Sequence, residues 1–302
     1  MTPLVPPGPG RLDLWVLRQP WTRLPGDPLV VSELDERERA RADAFVRTHD
    51  RLLYLSAHIA LRRLLAAYLR IPPGEIRFVR EPCPGCGKPH GRPAVAGEPP
   101  PLHFSLSHSH GLALFGVAAE PVGVDVERLP AAETVELCSS ALHPAEQEEL
   151  ARLEPHERPA AFGRLWTRKE AYLKGLGIGL GRDLAADYLG EHGGPDAPPG
   201  PEGWTVRNVS CGSSHVLHVA AAAVRGTSVR FTDVRWLPAD CLYVQDATGL
   251  IEGREPQQWT EPPSSSPDRG LNAWAWEPTS PSGGPTWSTP TTGPRTRSSA
   301  SR

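Results

Sequence analysis

The sequence has no run of the roughly 18 consecutive apolar residues that a membrane-spanning helix requires, so it predicts no such helix. Residues 1–10 lack the basic segment and apolar run of a secretory signal, and we expect a cytoplasmic protein with no membrane partner. Positive charge is not in excess, because 32 Lys and Arg stand against 35 Asp and Glu. That balance argues against a chain-wide surface for nucleic acid. Five cysteines are too few and odd in number for a disulfide framework, so reduced thiols are expected.

Proline and glycine are abundant instead, with 35 and 29 residues in a chain of 302, and they are unevenly placed. The last segment of the chain, residues 240–302, ends in 42 residues (261–302) of which 27 are Pro, Gly, Ser or Thr and only seven are apolar. Such a segment cannot bury enough surface to offset the entropy cost of ordering it, so we predict a disordered tail. The preceding body has a size that suits two small fused halves, residues 11–119 and 120–239.

Hydrophobic periodicity in the body alternates between the two-residue repeat of strands and the longer repeat of helices. Residues 35–70 have helical spacing, follow a capping pattern from Ser32 to Asp35, and end before two prolines. A second helical pattern covers residues 160–174 and ends at glycines, and a short helix is predicted after His143. Strands are predicted at residues 13–17, 76–79, 103–106, 112–118, 122–127, 204–209, 215–224 and 228–236, with a turn at 107–111. This order of elements predicts an α+β fold.

Two acidic side chains fall on one face of the strand at residues 122–127. Because side chains alternate along a strand, Asp125 and Glu127 face one side while the neighbouring valines face the other. Adjacent carboxylates repel each other unless a cation lies between them, and a hard divalent ion is the natural partner. The alternative interpretation is a solvent-facing polar edge, which this strand alone does not exclude.

A third carboxylate lies on the helix at residues 160–174. Trp166, Glu170 and Lys174 are spaced four apart and form one row along that helix. Glu170 could supply another oxygen ligand, with Lys174 beside it to meet a phosphate; the alternative is an ordinary exposed Glu–Lys pair. Ser107 and His108 add donors for phosphate oxygens at a strand end, or simply belong to a polar turn. The sequence lacks the nucleophile elbow that a serine hydrolase would need.

Taken together, these segments resemble the Sfp-type 4′-phosphopantetheinyl transferase family. The resemblance covers residues 11–238 and rests on four motifs that occur in the family's order. They are Gly91-Arg92-Pro93, Phe104-Ser-Leu-Ser-His108-Ser109, Gly123-Val-Asp125-Val-Glu127 and Trp166-Thr-Arg-Lys169-Glu170-Ala-Tyr-Leu-Lys174-Gly. The last two are specific as a pair.

The resemblance implies a pseudo-dimer of two similar α/β halves with coenzyme A in the cleft between them. It implies Mg²⁺ held by Asp125, Glu127 and Glu170, and transfer of the phosphopantetheine arm of coenzyme A to a serine of an apo acyl or peptidyl carrier protein. Glu170 is the candidate base, directly or through a water, and Lys174 would help neutralise the diphosphate. Polyketide, nonribosomal peptide or fatty-acid carriers are the expected substrates, and a monomer is the expected state.

Further basic and polar residues match family positions that contact coenzyme A. They are Arg39, Arg51, Arg92, Pro93, Ser107, His108 and Lys174. Arg92 replaces the lysine often found in the Gly-Lys-Pro version of its motif, which keeps the charge but changes the donor geometry. Gly87-Lys88-Pro89 is a second segment of the same form, so the register stays open, although Ala94-Val95 favours the later one.

Two other functions fit the same residues. One is a Mg²⁺-dependent phosphohydrolase that acts on coenzyme A-like diphosphates through the three carboxylates. The other is a non-catalytic module that binds coenzyme A. A separate feature is Cys83-Pro-Gly-Cys86, which is either a turn with two free thiols or part of a metal site. A structural zinc needs about four ligands, and only His90 and His103 lie nearby in the sequence.

Overall fold

The computed structural model describes residues 4–19, 29–191, 197–211, 218–244 and 247–252, and it has a mixed α+β architecture. The strands are β1 Arg11–Arg18, β2 Phe78–Arg80, β3 Pro93–Val95, β4 His103–Ser109, β5 Leu112–Ala118, β6 Val122–Arg128, β7 Trp204–Asn208, β8 His218–Arg225, β9 Arg230–Phe231 and β10 Arg235–Trp236. The α-helices are α1 Glu36–Asp43, α2 Thr48–Leu69, α3 Ala132–Cys138, α4 Pro144–Ala151, α5 Arg158–Leu176 and α6 Thr248–Glu252.

The larger sheet has the strand order β10-β1-β5-β4, and β9 also pairs with β1. β1 runs antiparallel to β5, and β5 to β4, while β9 and β10 pair with β1 in parallel. β4 and β5 form a tight hairpin whose turn residues His110 and Gly111 both have positive φ, as a two-residue connection requires. The apolar face of this sheet packs against α2, and together they form the first hydrophobic core.

The smaller sheet has the order β6-β8-β7, with both pairs antiparallel. Helix α5 lies directly on it because small residues line the contact. A Cβ atom at Gly123 of β6 would lie 1.9 Å from the carbonyl oxygen of Ala171, so strand and helix touch through their backbones. Four successive alanines of β8 complete this thin layer, residues 220–223. This close contact fixes the distance between α5 and β6, the strand that carries Asp125 and Glu127.

Helix α2 is long and apolar enough to cross a membrane by length and composition, but 78% of the relevant segment is buried inside the protein. It also carries two buried arginines in ion pairs. Arg62 Nε donates to Glu38 at 2.7 Å, and Arg63 Nε donates to Glu33 at 2.8 Å. A charged side chain buried in a protein core needs an oppositely charged partner, and both arginines have one. These pairs are consistent with a helix of the protein core.

Several element boundaries differ from those predicted. The helix predicted at residues 35–70 is two helices, and its N-cap is Asp35, which forms a reciprocal capping box with Glu38; the predicted cap at Ser32 is wrong. The break between α1 and α2 lets Phe45 reach Tyr54, with ring centroids 5.4 Å apart. In one continuous helix those nine residues would span about 13 Å.

The predicted hairpin turn at residues 107–111 is also too long, because β4 continues to Ser109. The strand predicted at residues 228–236 is instead two short strands, β9 and β10. Gly175 lies within α5, and Gly177 with φ 75° ends the helix. Predicted disorder from residue 240 starts too early, because residues 239–242 and 248–252 are helical and bury Leu242 and Ile251. Residues 253–302 lie outside the described residues.

Candidate active site

A row of serines joins the two sheets at the acidic strand. Ser105, Ser107 and Ser109 occupy alternate positions of β4 and all face β6. Ser105 Oγ accepts a hydrogen bond from the backbone N–H of Val124 at 3.0 Å. Ser107 Oγ donates to Asp125 at 2.8 Å, and Ser109 Oγ donates to Glu127 at 2.8 Å. The serine hydroxyls therefore fix both strand carboxylates at the seam between the sheets.

Asp125 is the most buried of the candidate ligands, with 1% of its surface exposed. Its Oδ1 accepts from Lys174 Nζ at 2.6 Å, and the same Nζ lies 3.0 Å from Ser107 Oγ. Its Oδ2 is buried and has no hydrogen-bond partner among the described residues. A buried carboxylate oxygen without a partner is energetically costly. Asp125 thus offers a lone oxygen that a cation would satisfy.

Glu127 and Glu170 belong to the same cluster, and their surroundings disfavour the charged form of each side chain. Burial, followed by the charge of Asp125, raises the pKa of Glu127 to about 8. Burial and Asp125 also raise the pKa of Glu170. Burial by itself would lower the pKa of Lys174, but the charges of Asp125, Glu170 and Glu127 outweigh it and raise that pKa. Three carboxylates thus share one ammonium, and the cluster favours additional positive charge.

The donor set fits a hard divalent cation. Three carboxylate groups from β6 and α5 supply only oxygen atoms, and oxygen ligands are what Mg²⁺ prefers. The unpartnered Oδ2 of Asp125 and the raised pKa of both glutamates are the conditions that a bound cation relieves. The three predicted ligands interact electrostatically, but one oxygen from each does not come within 4.8 Å of the other two, so Mg²⁺ binding by all three stays a prediction.

His108 lies on the opposite face of β4 from Ser107. Its ring meets Tyr54 of α2 edge-on at 6.4 Å, and Tyr54 stacks on His58 at 4.0 Å. Burial, followed by the charges of His58 and Lys174, lowers the pKa of His108 to about 4. His108 is therefore neutral at pH 7 and can present one N–H donor but no charge.

Ser107 and His108 thus lie on opposite faces of β4, and the predicted contact of each with phosphates of coenzyme A is not tested by this arrangement. The hydroxyl of Ser107 is engaged by Asp125 and Lys174. Its direct contact with phosphate stays a prediction, while its contact with the carboxylate is a feature of the fold.

Arg92 is positioned at the edge of the cluster by two partners. Its Nε donates to Glu81 at 3.0 Å, and one terminal nitrogen donates to the carbonyl of Gly175 at 2.6 Å. The second contact places the guanidinium at the C-terminal end of α5, one residue beyond Lys174. Gly177 lies so close that an added Cβ would be 2.6 Å from Arg92 Cγ. Pro93 follows at the exposed start of β3, opposite Arg80.

The other two predicted basic contacts lie farther along the chain. Arg51, near the start of α2, pairs with Asp43 at 2.7 Å and is 43% exposed. The Arg39 side chain donates to the carbonyl of Leu34. Both partners belong to α1 or the segment before it, so these contacts do not connect either arginine to the carboxylates. Their role toward coenzyme A stays a prediction.

Two structural contacts that support the site were not predicted. Ser105 and Ser109, like Ser107, form hydrogen bonds from β4 to β6. The feature of the sequence that could have indicated this is the occurrence of serine at alternate positions 105, 107 and 109. Lys169 is 2% exposed and pairs with the fully buried Glu146 at 2.8 Å. It also donates to the carbonyls of Leu184 and Asp187. This buried pair anchors α5, and nothing in the sequence pattern identifies Glu146 as its partner.

The same region of the chain is similar to proteins of known class. Residues 121–195, which include β6 and α5, match the profile of the 4′-phosphopantetheinyl transferase superfamily. The 4′-phosphopantetheinyl transferase HetI of Nostoc sp. is 35% identical over 51% of this chain and 63% of its own length. A 4′-phosphopantetheinyl transferase of Bacillus subtilis is 28% identical over 62% of this chain and 81% of its own.

A more distant relative is the 4′-phosphopantetheinyl transferase Sfp of Bacillus subtilis strain 168. It is 23% identical over 51% of this chain and 65% of its own length. For this relative and for HetI, the match spans less than two thirds of the relative's length. The profile falls on the acidic strand and on the helix that carries Glu170 and Lys174. Over residues 121–195 the chain is therefore similar to the 4′-phosphopantetheinyl transferase superfamily, and its relatives include proteins named for that activity.

Proposed function

We propose that the protein transfers the 4′-phosphopantetheine arm of coenzyme A to a serine hydroxyl of an apo carrier protein, in a Mg²⁺-dependent reaction. The observation that carries the proposal is the carboxylate cluster. Asp125 is buried with one oxygen unpartnered, two further glutamates have raised pKa values, and Lys174 lies among them. The similarity to 4′-phosphopantetheinyl transferases supports the same chemistry.

Asp125, Glu127 and Glu170 would hold Mg²⁺, which when bound neutralises charge on a diphosphate and polarises the phosphorus under attack. Lys174 Nζ adds a second positive charge at the same place. It can stabilise the negative charge that develops on the departing phosphate. Arg92, held at the end of α5 by the Gly175 carbonyl, would contact a phosphate of coenzyme A. His108 offers a neutral N–H donor on the α2 side.

The reaction forms a bond between the carrier serine oxygen and the phosphorus that bears the pantetheine arm. The bond from that phosphorus to the oxygen of adenosine 3′,5′-bisphosphate breaks, and the bisphosphate leaves. The serine proton goes to Glu170, directly or through one water. Glu170 would then both hold the metal and accept the proton, which are the two roles predicted for it.

Other parts of the proposal depend on the similarity to these transferases and on the sequence. The two sheets, each with one long helix packed on it, support a pseudo-dimer of similar halves. Acyl or peptidyl carriers for polyketide, nonribosomal peptide or fatty-acid synthesis are the proposed partners. A monomeric state and a cytoplasmic location stay predictions.

A mass measurement on the carrier tests the function. The full chain is incubated with coenzyme A, Mg²⁺ and several apo carrier domains, and each carrier is weighed before and after. We expect a gain of one phosphopantetheine, lost when Mg²⁺ is chelated. Glu170→Gln should lower the rate by at least about 100-fold, because general base catalysis typically supplies that much. Glu148→Gln is the matched control, since Glu148 is an exposed residue of α4 paired only with Arg152.

The alternatives predict different products. A phosphohydrolase would consume coenzyme A at the same rate without any carrier. A non-catalytic module would bind coenzyme A and leave every carrier unchanged. Either result, or a Glu170→Gln variant with the wild-type rate, would overturn the proposal.

A further inference from the structure

The connection between β2 and β3 forms a compact lobe outside the carboxylate cluster. Backbone hydrogen bonds from Glu81 to Arg92 at 3.0 Å and from Gly91 to Glu81 at 2.8 Å continue the strand ladder into it. At its tip, Cys83 N–H donates to Lys88, and Gly87 N–H donates to Cys83, both at 2.8 Å. Gly87 has φ 70°, which closes the turn. The tip is therefore a defined structure held by its own backbone.

Three metal-ligating side chains converge at this tip. One ligand atom each from Cys83, Cys86 and His90 lies within 4.8 Å of the other two. Cys86 Sγ lies 2.9 Å from His90 Nε2. Cys83 is buried with 4% exposed, whereas Cys86 and His90 face solvent. Two thiols and an imidazole in such proximity form a donor set with one open side.

The backbone of the tip also orients the sulfur of Cys83. The N–H groups of Gly85 and Cys86 donate to its sulfur. Backbone donors directed at a sulfur fix its orientation, as they do around ligating cysteines.

We propose that Cys83, Cys86 and His90 bind one Zn²⁺ ion and leave its fourth position to solvent. Two sulfurs and one nitrogen are typical zinc ligands, and the two cysteines have the Cys-x-x-Cys spacing of zinc sites. Among the described residues no fourth His, Cys, Asp or Glu donor joins this group. The exposure of Cys86 and His90 places the open position on the outer surface.

The lobe connects to the catalytic half of the molecule through packing. A Cβ atom at Gly85 would lie 3.1 Å from Ile178 Cδ1, just after α5. Arg92 leaves the lobe and binds the carbonyl of Gly175. Zn²⁺ at the tip would therefore stiffen the segment that carries Arg92. This consequence depends on the proposed function, but zinc binding itself does not.

Metal analysis of the full chain tests the site without coenzyme A or a carrier. We expect about one Zn²⁺ per chain after dialysis against trace zinc, and a thiolate-to-metal charge-transfer band when Co²⁺ replaces it. Cys86→Ser and His90→Ala should each weaken Zn²⁺ binding by at least about 100-fold. Cys86→Ser should also weaken the charge-transfer band of the Co²⁺ form, because it removes one thiolate ligand. Cys138→Ser, at the end of α3, is the matched control and should keep both signals.

Circular dichroism checks that each variant is folded. His90→Ala is not expected to disturb folding, because the His90 side chain is exposed. The proposal is overturned if the wild-type chain takes up no zinc under reducing conditions. It is also overturned if the folded Cys86→Ser and His90→Ala variants bind zinc as well as Cys138→Ser does. A Cys83–Cys86 disulfide that persists in the reducing dialysis would equally contradict it.

Discussion

Ser107 makes one hydrogen bond to Asp125 and another to Lys174 at the centre of the carboxylate cluster. Its removal leaves Asp125 less well oriented, and loss of such a supporting hydrogen bond typically weakens a metal site by 10–100-fold. We therefore expect Ser107→Ala to lower the Mg²⁺ affinity by about 10–100-fold. Isothermal titration of the metal-free chain with Mg²⁺ measures this change.

Ser105→Ala is the matched control, because Ser105 lies on the same face of β4 and, among the described residues, its hydroxyl hydrogen-bonds to the backbone N–H of Val124 and to no carboxylate. Its loss should lower the free energy of unfolding by about 1 kcal/mol and leave the Mg²⁺ affinity unchanged. Equal Mg²⁺ affinities in the two variants would show that the serine row joins the sheets and does not support the metal site.

Glu127 makes the stability of the metal-free protein depend on pH. Its pKa rises from an ordinary 4.5 to about 8 in the folded chain, which therefore keeps a proton that the unfolded chain releases. Stability from this group falls as pH rises. The lowered pKa of His108 acts in the opposite direction, but only below about pH 6.5. Between pH 6.5 and 8 we expect the free energy of unfolding to drop by up to about 2 kcal/mol.

Urea denaturation in the presence of a chelator, repeated across this pH range, measures the drop. The Glu127→Gln variant carries no titratable group at this position and should show a flatter profile. A wild-type profile that rises over the same range would contradict the raised pKa.

Individual site residues were predictable to different degrees. The alternation of β6 placed Asp125 and Glu127 on one face, and the four-residue spacing of α5 placed Glu170 and Lys174 on one row. The engagement of Ser107 by Asp125 was not predicted, because it depends on how β4 meets β6 across two separate sheets. A short polar segment interpreted as a turn conceals the alternation that puts Ser107 and His108 on opposite faces.

At the scale of elements, the contact between β6 and α5 controls the position of Glu170 and Lys174. Gly123→Ala would bring a methyl group within 1.9 Å of the Ala171 carbonyl oxygen and 2.4 Å of the Gly175 nitrogen. Backbone atoms cannot move aside as a flexible side chain can, so we expect a loss of at least about 3 kcal/mol in the free energy of unfolding. Chemical denaturation of the purified variant measures it.

Gly74→Ala is a suitable control, because nothing lies within 4 Å of an added Cβ there. Its free energy of unfolding should stay within about 0.5 kcal/mol of the wild type. If Gly123→Ala proved as stable as Gly74→Ala, the strand and helix would have to lie farther apart than described.

Most elements were predicted in kind, and their errors have local causes. The helix at residues 35–70 was predicted as continuous because its apolar spacing persists across the break. The cause of the break is tertiary, since Phe45 packs on Tyr54. Similarly, the sequence gives no signal that β9 and β10 are separate strands.

At the scale of the whole molecule, the described segment after residue 238 completes the core around α2. Leu242 is fully buried, Ile251 is 4% exposed, and Arg63 donates to the Cys241 carbonyl. We expect a chain that ends at Pro238 to be at least about 3 kcal/mol less stable than one that ends at Glu252. This estimate counts only the burial of the two aliphatic side chains.

Thermal and urea denaturation of the two shortened chains, prepared in parallel, check this difference. Equal stabilities would mean that residues 239–252 contribute little to the core, as the sequence had suggested. That suggestion failed because the tail, whose breaker-rich composition belongs to residues 261–302, was extended back to residue 240 over a short apolar stretch.

The return of the chain to β1 has a consequence for synthesis. β1 is made first, yet β9 and β10, its parallel partners, lie more than 200 residues later. One edge of β1 therefore stays unpaired on the ribosome until nearly the whole body has been translated, including every residue of the carboxylate cluster. Unpaired edges invite association with other strands. Chaperones should accordingly be needed to protect the nascent chain from association until residues 230–236 emerge from the exit tunnel.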